Sequence, residues 1–144
     1  MFELVYCSIA KPDLKPEDIS DILQKARDFN SKNKITGCLL FHNNEFLQIL
    51  EGEKSVVQEL YESIKRDVRH SHVILLEENE KMERLFPTWS MAFHELHDSE
   101  FVKNDFVKNF SAFSDLTKKP THASELFWTM AKLILTKKTN HNIR

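Results

Sequence analysis

The sequence predicts an α+β fold. It is a split βαβ, ferredoxin-like sheet in the order β-α-β-β-α-β-β, with two helices on one face and C-terminal helices covering the other. Three observations carry this. Five short runs show strand-like apolar patterning, and two amphipathic segments of helical period separate them in that order. The runs meant for the centre, Phe2 to Ile9 and Phe46 to Leu50, are apolar on both faces, so helices on one face alone would leave the other bare. From Phe101 onward two further apolar helical periods are available as a cover.

Taken in order, Phe2, Leu4 and Tyr6 alternate with Val5, Cys7 and Ile9 in the first strand. Pro16 suits a first helical turn, and Glu17 and Asp18 suit its dipole. Ile19, Ile22, Leu23, Ala26 and Phe29 or Asn30 then keep helical spacing to about Lys32. Asn30 falls on the inner stripe with Ile19, Leu23 and Ala26. Ile35 to Phe41 is a second strand, His42-Asn43-Asn44-Glu45 a hairpin turn, and Phe46 to Leu50 a third strand ended by Gly52. Val57, Leu60, Tyr61, Ile64 and Val68 mark a second helix, closed by Arg66-Asp67-Val68-Arg69-His70. Val73 to Leu76 and Trp89 to Phe93 are the fourth and fifth strands. Phe101, Val102, Phe106, Phe110 and Phe113 are spaced for a helix. So are Ala123, Leu126, Phe127, Met130, Leu133 and Ile134, after Lys119-Pro120. The expected division is a sheet domain over 1–97 and a helical cap with a polar tail over 98–144.

The length of 144 residues suits one domain, or a domain with a small appendage, and the net charge of -2 argues against a nucleic-acid partner. No run reaches membrane-spanning length and no secretory signal pattern opens the chain, so a cytoplasmic protein without a membrane association is expected. Cys7 and Cys38 lie in apolar strands and read as buried free thiols. Exposed apolar positions on the last helix, Phe127 or Trp128 for example, would offer a surface for a homo-oligomer or a partner.

Three polar side chains stand where the pattern asks for apolar ones: Tyr6 on the first strand, Asn30 on the first helix and Gln48 on the third strand. A buried amide without partners costs roughly 1–3 kcal/mol, so each needs hydrogen bonds. Singly, each is more often a satisfied core group. In this topology the first and third strands are central neighbours and the helix packs over them, so the three converge on one pocket. They suit the polar edge of a flat heterocycle between two helices. They do not suit hydrolysis: no carboxylate pair converges and no nucleophile stands beside a base. His70 with His72 and His94 with His97 lack a third ligand at metal spacing and read as solvent-facing. With two glycines there is no phosphate loop.

Five motifs, in order and at family spacing, closely resemble the BLUF domain, the blue-light sensor using FAD. They are Tyr6-Cys7-Ser8; Phe29-Asn30 with Ile35-Thr36-Gly37; Phe46 to Gly52; Arg66 to Ser71; and Trp89-Ser90-Met91. The resemblance covers about residues 1 to 97 and implies a flavin ring between the helices containing Ile22 and Ile64. It implies Asn30 on the carbonyl and imide edge of the ring, and Gln48 bonded to both that edge and Tyr6. Ile22 and Ala26 would line one side, and Asp67, Arg69 and His70 would contact the ring or ribityl chain. Trp89 and Met91 would adjoin Gln48 and pass its change outward. Light would draw an electron and a proton from Tyr6; recombination would leave Gln48 rotated, tautomerised or both. Position 29 is Phe here where some relatives carry His. The implied protein is a short, stand-alone photoreceptor, not an enzyme, that signals to a separate, unidentified protein. FAD is the implied cofactor; FMN or riboflavin would fill the same ring site. The other reading is a ferredoxin-like enzyme or small-ligand binding module that uses the pocket without light.

Overall fold

The computed structural model describes residues 1–42, 44–84, 92–95 and 121–142. Its elements are β1 (Phe2–Ala10), α1 (Pro16–Lys32), β2 (Thr36–His42), β3 (Glu45–Gly52), α2 (Lys54–Arg66), β4 (His70–Glu80), β5 (Ala92–Glu95) and α3 (His122–Asn142). The strands form one sheet in the order β4-β1-β3-β2-β5. β3 runs antiparallel between β1 and β2, which is the split βαβ arrangement, and β5 adds a parallel edge strand on β2.

Local chemistry fixes the elements that carry the site. Pro16 opens α1, and the Asp18 carboxylate accepts the Lys15 backbone N–H at 2.9 Å. The hairpin between β2 and β3 turns through Asn44, which has a φ of 66°. Its side chain donates to the Ala10 carbonyl at 2.8 Å and its carbonyl accepts the Ala10 N–H at 2.9 Å, so the turn is stitched to the end of β1. Gly37 lets β2 close on β3, since a Cβ there would lie 1.9 Å from the Ile49 carbonyl oxygen.

Two cores sandwich the sheet. Leu4, Tyr6, Leu39, Phe46 and Leu50 face α1 and α2 and meet Ile19, Val57 and Tyr61. Val5, Cys38, Leu40, Leu47 and Ile49 face the other way and meet Ala123, Phe127, Trp128 and Ala131 of α3. Three expectations need correction. Phe127 and Trp128 are buried against the sheet and offer no free surface; among the described residues of α3 the exposed large apolar one is Leu133. Cys7 is only half-buried, while Cys38 is buried, and both thiols are free. β4 is longer than Val73–Leu76 because it pairs with β1 from His70 to Glu80; its charged residues sit on an edge strand whose outer side meets water. β5 is described over Ala92–Glu95; Trp89, with the rest of residues 85–91, and the helical period from Phe101 to Phe113 lie outside the described residues.

Candidate functional site

Tyr6 and Gln48 are directly opposite each other on β1 and β3, and Leu39 of β2 is opposite Gln48 on its other side. All three point toward α1 and α2. The Tyr6 hydroxyl donates to Gln48 Oε1, and both residues are buried. Burial raises the Tyr6 phenol well above its ordinary value, helped by Tyr61 and the Asp67 charge. The Tyr61 ring packs at 5.6 Å from that of Tyr6, so the phenol is fixed from the helix side as well.

The helices stand over this floor with a cleft between them of about 240 Å3. Ile22, Ala26 and Asn30 line it from α1 at intervals of four, and Ile64 with Leu60 lines it from α2. Asn30 is fully buried there. The space is smaller than pockets that engulf a whole drug-sized ligand, roughly 300–1,000 Å3, and has the proportions for a ring system with its substituents outside.

The rim comes from the short connection after α2. Arg69 donates to both oxygens of Asp67 at 2.8–3.2 Å and, through Nη1, to Asp21 of α1 at 2.9 Å. The Asp67 carboxyl is held below the usual range by its hydrogen bond from Arg69. His70 is half-buried, with its Nδ1 2.9 Å from Ser8 Oγ and its ring 4.8 Å from that of Phe46. Burial pushes its imidazole below the usual histidine range.

All nine residues expected to surround a cofactor therefore line one cleft: Tyr6 and Gln48 below, Ile22, Ala26, Asn30 and Ile64 at the sides, and Asp67, Arg69 and His70 at the rim. His70 is thus not solvent-facing, whereas its neighbour His72 is. Trp89 and Met91 lie outside the described residues, as does His97. Lys25, Phe29, Leu39 and Ser63 also line the cleft. Helical spacing held the signal for two of them, since positions 22, 25, 26, 29 and 30 form one face of α1. Among the described residues no group of three His, Cys, Asp or Glu could hold a metal ion. No described helix is long and apolar enough to cross a membrane.

These residues fit a flavin ring. The apolar side chains of α1 and α2 form two facing walls for a flat aromatic system, and the buried amides of Asn30 and Gln48 supply donors and acceptors at its edge. The rim supplies polar groups for a chain leaving the cleft.

The family model described as sensors of blue-light using FAD (BLUF) matches residues 1–92. Among curated relatives, the photoactivated adenylate cyclase subunit beta of Euglena gracilis is 37% identical over 89 residues, 61% of this chain and 10% of that protein. The blue light- and temperature-regulated antirepressor BluF of Escherichia coli K12 is 33% identical over 73 residues, 51% of this chain and 18% of that protein. The chain thus spans less than a fifth of either. Among solved structures, the photo-activated state of BlsA superposes with a TM-score of 0.68 at 31% identity, covering 90% of this chain and 92% of that one. BlrB, a BLUF protein in its dark state, gives 0.69 at 27% identity, covering 91% and 95%. The cleft and these matches lead to one conclusion: the chain belongs to the BLUF family, the sensors of blue light using FAD.

Proposed function

We propose that the flavin ring is held in the cleft between α1 and α2, and that Tyr6 and Gln48 convert light absorption into a hydrogen-bond switch. The observation that carries this reading is the buried bond from the Tyr6 hydroxyl to Gln48 Oε1. When bound, the flavin supplies blue-light absorption and, once excited, a strong oxidant. Tyr6 is the donor. Its burial disfavours a phenolate, so an electron given to the excited flavin would leave together with the hydroxyl proton, and Gln48 Oε1 is the proton acceptor already in place. On recombination the electron and a proton would return to Tyr6 and leave Gln48 rotated, tautomerised or both, with donors and acceptors exchanged at the flavin edge, while Asn30 would hold that edge from α1. Ile22, Ala26 and Ile64 keep water from the ring, and Asp67, Arg69 and His70 bound the exit. A changed hydrogen bond is worth about 0.5–1.5 kcal/mol, which biases a two-state element several-fold.

The chain itself turns nothing over in this reading. Trp89 and Met91 carry the change from Gln48 toward the helical cap that follows residue 97, and the output goes to a separate effector in the cytoplasm. The relatives support an effector: one is named for a photoactivated cyclase and another for an antirepressor, both far longer than this chain. The resident flavin is FAD, with FMN and riboflavin able to replace it. Recognition rests on the ring, because both lining cations are already engaged: Lys25 with Asp21 at 3.1 Å, and Arg69 with Asp21 and Asp67.

Absorption spectroscopy tests the reading. Purified protein is expected to be yellow, with a small red shift of the flavin band under blue light that reverses in the dark. Tyr6→Phe is expected to keep the flavin and lose the shift. A normal photocycle in that variant would exclude Tyr6 as donor.

A further inference from the structure

The face of the sheet away from the cleft carries a second polar cluster. Glu3 on β1 and Glu51 on β3 are paired in register and are both fully buried, with Lys81 between them. The Lys81 ammonium is 2.7 Å from Glu3 Oε2 and also bonds Glu51 Oε2. Lys81 belongs to the segment leaving β4. Thr36 of β2 donates to Glu51 Oε1 at 3.2 Å, and Arg84 donates to Thr36 and to the Glu51 carbonyl at 2.8 and 3.1 Å. At the other end, the Thr121 hydroxyl donates to Glu3 Oε2 at 3.0 Å. That hydroxyl is also the cap of α3. It accepts the Ser124 N–H at 3.1 Å, while the Thr121 N–H donates to Ser124 Oγ at 2.9 Å.

The cluster therefore joins the first turn of α3 to the two strands that carry Tyr6 and Gln48. Glu3 precedes Tyr6 by three residues, and Glu51 follows Gln48 by three. Lys81 is the one ammonium shared by two buried carboxylates, so removing it takes that partner from both at once, which is costly for buried charge. Among the described residues the apolar contact of α3 is made by Ala123, Phe127, Trp128, Met130 and Ala131, and the polar ties at its cap end are Thr121 to Glu3 and the exposed His122 to Glu77 at 2.8 Å.

We propose that the Glu3–Lys81–Glu51 triad, acting through Thr121, is a latch. It sets how firmly α3 is docked on the sheet and couples that docking to the state of the Tyr6–Gln48 strand pair. The docking part stands on the triad alone; the coupling part rests on the photochemical reading above. By linkage, whatever the lit state does to the docking of α3, docking does equally to the lit state.

Hydrogen exchange on the full flavin-loaded chain tests both parts. In the dark, Lys81→Met and Thr121→Val are each expected to speed amide exchange in residues 122–131 by about fivefold or more, with β1 and β3 protection kept. The neutral triple variant Glu3→Gln, Glu51→Gln, Lys81→Met is expected to restore protection toward that of the unaltered chain. Unchanged exchange in α3, or faster exchange spread evenly over the sheet, would overturn the latch. If Lys81→Met does not fold, Thr121→Val decides alone, since it removes one hydroxyl. For the coupling, illumination is expected to change α3 exchange in the unaltered chain and not in Thr121→Val, with the red shift present in both. A red shift without any light effect on α3 would overturn the coupling. Absence of the red shift itself would sink the photochemical reading and leave the dark comparison to decide the latch.

Discussion

On the face covered by α1 and α2, Tyr6, Asn30 and Gln48 stand where apolar side chains would otherwise close the core, and a cleft remains between the helices. On the face covered by α3, Val5, Leu47 and Ile49 of the same strands meet Ala123, Phe127 and Ala131 directly. The backbone is shared, so the difference lies in the alternation along β1 and β3. Even positions build a site and odd positions build a closed core. Both faces thus carry a packed core, and only the one under α1 and α2 leaves room for ligand chemistry.

That division is open to test from either face. The largest stability effect is expected from Phe127→Ala. Phe127 is fully buried and packs edge-on against Trp128 at 5.0 Å. Its truncation is expected to lower stability by about 3–5 kcal/mol, or a melting point lower by roughly 6–20 °C. The protein should remain yellow below that temperature, with a light-induced shift of ordinary size. A bleached or photochemically silent variant at low temperature would mean that the two faces are not separable.

Gly37→Ala strikes the strand pairing that both faces share. The new methyl would need the Ile49 carbonyl to withdraw, which pulls β2 from β3 beside Gln48. A loss of about 1–3 kcal/mol is expected, together with altered flavin absorption in the dark, because Leu39 and Gln48 are cross-strand neighbours. Denaturant unfolding and a dark spectrum check both halves.

The cleft was legible in the sequence for a physical reason. Tyr6, Asn30 and Gln48 break an otherwise apolar period, and strand order alone brings them together. The same rule also marks Glu3 beside Val5 and Glu51 beside Ile49, carboxylates on an apolar face, yet sequence reading passed over them. Their partners, Lys81 and Thr121, come from segments with no periodic signal, so nothing local announces that the charges are matched. The docked stripe of α3 was misread because its helix is apolar around much of its circumference. Only packing selects 123, 127, 128 and 131 over Leu133, which is left exposed. The length of β4 followed from β1, which pairs along its full extent whatever charges its edge partner carries.

The next effect should be confined to the helix face. Burial holds His70 below the 6.5 of a free imidazole, outweighing the Asp67 charge that favours protonation. The unfolded chain therefore takes up a proton before the folded one. The contribution of neutral His70 is complete above pH 6.5 and declines as pH falls through 6.5 toward the folded value. The Asp67 window lies lower. The carboxyl is held below 3.8 by Arg69, so its contribution is lost only under stronger acid. His70→Gln is expected to flatten the upper of these two windows and leave the lower one. Urea titrations at a series of pH values measure it; an unchanged slope between pH 6.5 and 5 would show that His70 is not kept neutral by burial.

The smallest effect concerns which flavin is chosen. Asp21 is exposed and bonds both Lys25 and Arg69 at the mouth of the cleft. Exposed pairs of this kind add little to stability, so Asp21→Asn should melt as the unaltered chain does. Its effect should appear in ligand preference. With Asp21 in place the rim cations are occupied, and FMN and riboflavin should bind alike through the ring. Without it, Lys25 has lost its carboxylate and Arg69 keeps only Asp67, so a phosphate on the ribityl chain should gain a few-fold advantage. That advantage should fade as salt screens the exposed charges. Competition binding of the two flavins at low and high ionic strength is the measurement. A strong preference for the phosphorylated flavin in the unaltered chain would show that the rim already grips phosphate, and that recognition does not rest on the ring alone.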